Sequence, residues 1–208
     1  MTSGSAYDPV KRAADLVVAL LGLAVLWPVL LVVALAVRVD VGRPVLFRQV
    51  RPGLAGRPFT ILKFRTMRGD GSTGVASDAA RLTPLGRALR ATSLDELPSL
   101  VNVVRGDMSF VGPRPLLTSY LPLYTPEQAR RHEVRPGVTG LAQCSGRNAL
   151  DWERRLELDV RYVDTRGPLL DARIVLATVA KVLRREGISA EGVATAVEFR
   201  GRPGEGAA

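Results

Sequence analysis

The chain has 208 residues, enough for one domain with an added membrane segment. Its 29 basic and 20 acidic residues give a net charge of +9, so we expect anionic partners such as phosphorylated substrates, acidic lipids or nucleic acid. The single cysteine excludes an internal disulfide, and with only one histidine beside it the chain cannot form a His/Cys metal site. A bound metal would therefore be a hard cation with oxygen ligands.

The most apolar stretch lies near the N-terminus and carries no charge from Leu16 to Val37. It is long enough to cross a bilayer, which takes about 20 residues. Pro28 lies near its middle and predicts a break, because proline removes a helical hydrogen bond. Basic residues flank both ends, which places both ends in the cytoplasm. We therefore expect a re-entrant membrane helix, with a kinked single-pass helix and a buried soluble helix as the alternatives.

The next region predicts a β-hairpin. Two segments rich in β-branched and aromatic residues, 45–50 and 59–67, flank a stretch of turn-forming residues. Alternation in the second strand places Lys63 and Arg65 on the same face. That face is either solvated or turned towards a phosphate.

Two adjacent carboxylates, Asp95 and Glu96, follow a helix that we expect to begin at Thr83-Pro84. A second helix is expected to begin at Ser93 and to end near Gly106. The carboxylates have two readings. Ser93 and Glu96 fit a capping box. Alternatively, the two acids hold a divalent cation and a phosphate together with an arginine fixed between prolines, Arg114.

The C-terminal third predicts two helices, a charged one over 150–163 and an amphipathic one over 169–183 that lies on a membrane or docks on the core. The whole chain is predicted to be α+β and mostly helical. We expect a re-entrant helix broken at Pro28, a small β-hairpin, catalytic helices and C-terminal interfacial amphipathic helices. The expected divisions are the N-terminal tail and membrane helix (1–43), the catalytic domain (44–200) and a disordered tail (201–208).

Several short motifs occur in order between about Lys11 and Leu183. They are Phe47-Arg-Gln, Lys63-Phe-Arg-Thr-Met67, Thr92-Ser-Leu-Asp-Glu-Leu-Pro98, Asn102-Val, Gly106-Asp-Met-Ser, Gly112-Pro-Arg-Pro115, Arg135-Pro-Gly-Val-Thr-Gly140 and Gly146-Arg-Asn148. Together they closely resemble the bacterial sugar transferases, which are small monotopic polyprenyl-phosphate phosphoglycosyl transferases.

The resemblance implies transfer of a sugar 1-phosphate from a nucleotide diphosphate sugar, usually a UDP-sugar, to a polyprenyl phosphate such as undecaprenyl phosphate. It implies the cytoplasmic face of the bacterial inner membrane, membrane lipids and no nucleic acid as partners, and Mg²⁺ as cofactor. A homodimer is left open. Asp95 would be the nucleophile, and Asp95 and Glu96 would hold the metal; for Glu96 the role of general base is the alternative. We expect phosphate contacts from Arg114, Lys63, Arg65 and Arg90, and sugar or nucleotide contacts from Arg147 and Asn148.

The alternative function, from another class, is that of a basic protein that binds acidic lipids or nucleic acid and catalyses no reaction. The arginines are dispersed among glycines and carboxylates rather than clustered, which disfavours this alternative. It also assigns no role to Asp95 and Glu96.

Overall fold

The computed structural model describes residues 6–69, 81–146 and 150–184, together with Phe199 and Gly201. In these ranges the chain is mostly helical with small sheets, as predicted. The α-helices are α1 (Tyr7–Asp40), α2 (Pro84–Ala91), α3 (Ser99–Arg105), α4 (Pro126–Ala129), α5 (Leu141–Ser145), α6 (Trp152–Thr165) and α7 (Pro168–Arg184). The strands are β1 (Leu46–Pro52), β2 (Pro58–Phe64), β3 (Ser109–Val111) and β4 (Gly137–Thr139). The tail predicted over 201–208 lies, apart from Gly201, outside the described residues.

Helix α1 is one continuous helix of 34 residues, and Pro28 lies inside it. The break predicted at Pro28 is therefore corrected to a proline within a single helix. A proline removes only its own backbone donor and strains one turn, and the hydrogen bonds on both sides can continue the helix. Among the described helices, α1 alone is long and apolar enough to cross a membrane.

The first turns of α1 are anchored to the rest of the chain by polar contacts. Lys11 lies 2.5 Å from the carboxylate of Asp171 in α7. Asp15 is buried and accepts a hydrogen bond of 2.7 Å from the hydroxyl of Ser109 in β3. Arg12 donates to the backbone carbonyl of Val103 at 2.6 Å. These contacts fix the N-terminal part of α1 on the domain that follows it.

The C-terminal part of α1 packs on the same domain through apolar contacts. Val33 and Val37 are buried in a cluster with Phe64 of β2 and Leu89 of α2. Between these anchors the helix exposes large apolar side chains, among them Trp27 at 60% exposure. Both ends of α1 therefore contact one domain, while its middle presents apolar surface.

The predicted hairpin is confirmed. Strands β1 and β2 pair antiparallel, with Phe47 opposite Lys63. Helix α3 packs against β2 through two buried polar side chains. Asn102 accepts from the amide of Leu62 at 3.0 Å and donates to the carbonyl of Thr60 at 2.8 Å, and Ser99 donates to the carbonyl of Leu62 at 2.9 Å. The strand that carries Lys63 is thus fixed to the helix that follows the two carboxylates.

A parallel strand pair, β3 with β4, was not predicted from the sequence. The two strands approach closely at Gly112, whose amide donates to the carbonyl of Thr139 at 2.9 Å. A Cβ at Gly112 would lie 2.4 Å from the carbonyl oxygen of Arg135, so only glycine fits here. This contact fixes the start of the segment that leads to Arg114.

The two predicted C-terminal helices are confirmed: α6 is shifted by two residues, and α7 is one residue longer at each end than predicted. Helix α7 docks with one face, where Ile174 and Asp171 are buried, and exposes apolar side chains on another. Leu176 is 70% exposed and Val179 is 51% exposed. The two readings of this segment, docked or lying on a membrane, are thus compatible because they concern different faces.

Candidate active site

The two adjacent carboxylates lie on a short 3₁₀ turn, Leu94–Glu96, between α2 and α3. Ser93 precedes the turn in the left-handed region (φ 57°, ψ 16°) and its side chain makes no capping hydrogen bond. The predicted helix start at Ser93 is therefore wrong, since α3 begins at Ser99, and so is the predicted capping box. The left-handed residue turns the chain sharply, which a helical start at this point would not do.

The side chain of Glu96 is held by two cations from distant segments. Nζ of Lys63 donates to Oε1 of Glu96 at 2.6 Å, and a guanidinium nitrogen of Arg114 donates to the same oxygen at 2.9 Å. Burial alone would raise the pKa of Glu96, yet Arg114 and Lys63 together hold this pKa well below its usual range. Glu96 is thus a permanent anion that joins β2 to the Gly112–Arg114 segment.

Asp95 has a different environment from its neighbour. No hydrogen bond or ion pair to its carboxylate is found among the residues that the structure describes. Burial raises the pKa of Asp95 to about 6, and the negative charge of Glu96 adds to this effect. Lys63, Arg90 and Arg114 act in the opposite direction, which places their charges near Asp95. An unpaired carboxylate with a raised pKa is ionised at neutral pH but more basic than an exposed one, as a nucleophile requires.

Lys63 and Arg114 lie at the site, as the sequence predicts. Burial and the charge of Arg114 lower the pKa of Lys63, although Glu96 opposes this shift. Glu96 raises the pKa of Arg114. The two cations therefore share one carboxylate, and within the described residues no other side-chain hydrogen bond engages the donors that could reach a phosphate.

The other two predicted phosphate contacts make hydrogen bonds of their own. Arg90, in α2, donates to the hydroxyl of Thr66 at 3.0 Å, and its charge acts on Asp95. Arg65 donates to the backbone carbonyls of Arg43 and Pro44 at 2.9 and 3.2 Å. For both residues a phosphate contact stays a prediction.

Arg147 and Asn148, the predicted sugar or nucleotide contacts, lie outside the described residues. Their role as sugar or nucleotide contacts therefore stays a prediction.

A buried ion pair that the sequence did not predict supports the backbone of Arg114. Arg131 donates from two nitrogens to one carboxylate oxygen of Asp159, at 2.7 and 3.1 Å, and donates to the backbone carbonyl of Arg114 at 2.7 Å. Arg131 and Asp159 are both 2% exposed. Neither residue stands out in the sequence, because Arg131 lies among other charged residues and Asp159 lies in a helix predicted to be charged, where most charges face the solvent.

The residues at the turn fit a magnesium ion by their donor chemistry. No group of three or more His, Cys, Asp or Glu side chains that could enclose a metal occurs among the described residues. Magnesium, however, commonly binds one or two carboxylates together with substrate phosphates. Asp95, whose carboxylate has no partner in the described chain, and Glu96 supply two such carboxylates.

Comparison with known proteins decides the family. The family model described as "Bacterial sugar transferase" matches residues 6–185. The chain belongs to the bacterial sugar transferase family. The match extends from α1 to α7, so the membrane-type helix and the carboxylate turn lie within one family domain. The resemblance derived from the motifs is thereby confirmed.

Individual bacterial sugar transferases are similar over most of this chain. The chain is 52% identical to the uncharacterized sugar transferase EpsL of Bacillus subtilis, over 92% of this chain and 96% of that protein. It is 46% identical to a UDP-glucose:undecaprenyl-phosphate glucose-1-phosphate transferase of Caulobacter vibrioides, over 86% of this chain and 71% of that protein. The Escherichia coli protein of the same name is 42% identical, and the match covers 82% of this chain but 39% of that protein. These relatives therefore differ in how much chain they carry beyond the shared domain.

Proposed function

We propose that the protein transfers a sugar 1-phosphate from a nucleotide diphosphate sugar, a UDP-sugar in the first instance, to a polyprenyl phosphate such as undecaprenyl phosphate. The products are UMP and a polyprenyl diphosphate sugar, which begins the assembly of a glycoconjugate such as an exopolysaccharide, O-antigen, capsule or glycoprotein glycan. The observation that carries the proposal is the division of environments at the turn. Glu96 is clamped by Lys63 and Arg114, whereas Asp95 is half-buried and unpaired in the described chain.

Asp95 is the nucleophile in this proposal. Its carboxylate oxygen attacks the phosphorus that carries the sugar, and the bond from that phosphorus to the bridging oxygen breaks as UMP leaves. An oxygen of the lipid phosphate then attacks the same phosphorus and releases the Asp95 carboxylate. A pKa of about 6 suits both steps, because the carboxylate is ionised at neutral pH and remains a reasonable leaving group.

Glu96 acts as an anchor and metal ligand rather than as a general base. A base must accept a proton near the working pH, and the pKa of Glu96 lies far below that range because Arg114 and Lys63 overcome the effect of burial. The carboxylate instead holds the two cations beside Asp95, where they contact the phosphate under attack. Magnesium, when bound by Asp95 and Glu96, would neutralise charge on the diphosphate.

The position of α1 supports a monotopic, re-entrant attachment with both ends at the cytoplasmic face. Buried Ala19 and buried Val33 both pack on the catalytic domain, and the 13 residues between them would reach about 20 Å as a helix. A hydrocarbon core is about 30 Å thick, so this free stretch is too short to cross it. In this proposal α1 bends at Pro28 without losing its helical continuity, so that its apolar middle enters the membrane while both ends stay at one face. The exposed apolar face of α7 lies on the membrane surface.

Release of UMP from a panel of UDP-sugars tests the proposal. The detergent-solubilised protein is mixed with undecaprenyl phosphate and Mg²⁺, and release should require the lipid and stop with EDTA. With labelled donor and no lipid acceptor, a phosphosugar should accumulate on the protein and be lost in Asp95→Asn. Turnover without such an intermediate would show direct transfer, and no release from any donor would contradict the proposed substrate class.

A further inference from the structure

The backbone of Arg114 is held by hydrogen bonds on both sides of its Cα atom. On the N-terminal side, the carbonyl of Pro113 accepts a hydrogen bond of 2.9 Å from the amide of Gly137. On the C-terminal side, the carbonyl of Arg114 itself accepts one of 2.7 Å from Nη2 of Arg131. The prolines on either side are buried, whereas Arg114 is exposed and reaches Glu96. These two hydrogen bonds therefore restrict the direction in which the side chain leaves the backbone.

Arg131 makes its contact from a buried ion pair that joins two elements. It lies in the 3₁₀ segment Arg130–Glu133, which packs against α6, the helix that carries Asp159. Nη2 of Arg131 donates to Asp159 and to the carbonyl of Arg114, both at 2.7 Å, and Nε donates to Asp159 at 3.1 Å. Because a guanidinium is a rigid plane, Asp159 fixes its orientation and so directs Nη2 at the Arg114 carbonyl.

Stability alone is a weak reason for this ion pair. Taking two charges out of water is costly, and apolar residues of similar volume often replace a buried pair without loss of stability. An apolar residue cannot, however, donate a hydrogen bond to a backbone carbonyl. The contact between Arg131 and the carbonyl of Arg114 is therefore the part of the arrangement that only a buried donor provides.

We propose that Arg131 and Asp159 are positioning residues that hold Arg114 in place for phosphoryl transfer. This inference rests on the proposed function, in which the guanidinium of Arg114 contacts the phosphate that Asp95 attacks. As the bond to the leaving group breaks, charge shifts over the phosphate oxygens, and a cation already in place stabilises it without reorganisation. Arg131 acts through the backbone of Arg114 and touches no reacting atom.

A double replacement removes the ion pair and leaves no buried charge without a partner. In Arg131→Met with Asp159→Leu, both charges become apolar side chains, so the melting temperature should stay close to that of the wild type. The kcat/KM for UMP release should fall by about tenfold to a hundredfold, because a misplacement of about 1 Å can cost about a hundredfold. Arg131→Lys keeps one cation but loses the planar fork, and its kcat/KM should lie between the two.

A mutant cycle separates an effect through Arg114 from general damage. In an Arg114→Gln background the double replacement should cause little further loss of kcat/KM, because the guanidinium that it displaces is already absent. Losses that multiply in full would overturn the inference, and so would wild-type kcat/KM in a folded double variant. If the double variant does not fold, the same cycle with Arg131→Lys decides by the same two criteria.

The neighbouring arginine offers a matched control. Arg130 lies in the same 3₁₀ segment and pairs with Asp164 of the same helix, α6. Its other ion pairs in the described chain are with Glu127 and Glu133, at 2.7 and 3.4 Å. Arg130→Gln with Asp164→Asn therefore removes a pair between the same two elements, and should leave kcat/KM almost unchanged. An equal fall in this variant would assign the effect to the packing of the two elements and remove the positioning role.

A measurement without turnover separates this inference from the proposed function. The coupling between Arg114→Gln and Glu96→Gln in thermal unfolding reports how firmly Arg114 is held beside Glu96. This coupling should weaken once Arg131 and Asp159 are replaced together. Unchanged coupling in a protein that releases UMP would leave the function standing and remove the inference. Weakened coupling in a protein that turns over no UDP-sugar would keep the positioning of Arg114 and contradict the proposed function.

Discussion

Nζ of Lys63 lies 2.6 Å from Oε1 of Glu96, a contact between residues 33 positions apart in the chain. It joins the hairpin to the carboxylate turn and leaves the adjacent Asp95 as the acid without a partner in the part of the chain that the structure describes. Because the pair fixes Glu96 as an anion, the pKa of Asp95 is raised by its neighbour as well as by burial. The contact therefore separates the roles of two adjacent carboxylates.

Asp95→Asn should abolish turnover and stabilise the protein. The pKa of Asp95 is raised from 3.8 to about 6, so the folded protein bears a cost for ionised Asp95 above about pH 6. At pH 7.5 the variant should gain at most about 3 kcal/mol, since one pKa unit corresponds to about 1.4 kcal/mol. The gain should shrink as the pH falls from about 6 towards 4, because Asp95 then becomes neutral in the folded protein. Thermal unfolding across this pH range measures it, and a gain that does not depend on pH would contradict the assignment.

The rate of UMP release should fall on the acid side with a midpoint near pH 6. Asp95 must be ionised to attack, and burial, followed by the charge of Glu96, raises its pKa to about 6. Measurement of kcat/KM between pH 5 and 8 at constant ionic strength gives the midpoint. A midpoint near the ordinary value of an aspartate would show that another group limits the rate.

Glu96→Gln should lower stability by about 1–3 kcal/mol, because Lys63 and Arg114 would face each other without their shared anion. The partial exposure of these side chains keeps the loss below that of a fully buried pair. A double-mutant cycle with Lys63→Met measures the coupling, which should be about 1 kcal/mol or more. If the stability losses of the two single variants simply add in the double variant, the contact between Lys63 and Glu96 contributes nothing.

Asn102→Ala should destabilise the protein by about 2–4 kcal/mol and reduce kcat. The change leaves the buried amide of Leu62 and the carbonyl of Thr60 without partners. The adjacent Lys63 then loses its fixed position relative to Glu96. Ser145→Ala, which removes a single hydrogen bond of 2.8 Å to the carbonyl of Leu141, should have little effect on either quantity. Equal effects of the two variants would show that Asn102 has no special role.

Both ends of α1 should be accessible from the cytoplasmic side of the membrane. In a Cys144→Ser background, Ala6→Cys and Val39→Cys place one thiol at each exposed end; Val39 is 88% exposed. An impermeant maleimide should label both in inverted membrane vesicles and neither in intact spheroplasts. Labelling of the two ends from opposite sides would establish a single-pass helix and remove the re-entrant proposal.

Local sequence patterns predicted several elements well. The turn-forming residues between two apolar segments predicted the hairpin, and Thr83-Pro84 predicted the start of α2, where the Thr83 hydroxyl accepts from the amide of Gly86 at 2.9 Å. The same approach failed at Ser93, because spacing alone cannot separate a capping box from a left-handed turn. It also missed the β3–β4 pair, since three-residue strands carry too few positions for a recognisable period.

The sequence by itself determined the family, the adjacent carboxylates, the apolar helix and the hairpin. Each of these features can be recognised from the types of residues at short spacing and from the order of the motifs. Only the tertiary structure decided that Glu96 is clamped while Asp95 is unpaired in the described chain, and that α1 has both ends on one domain. These depend on contacts between distant segments, such as Asp15 with Ser109 across 94 positions. No local period records such contacts, because burial and charge pairing are set by the packing of the whole chain.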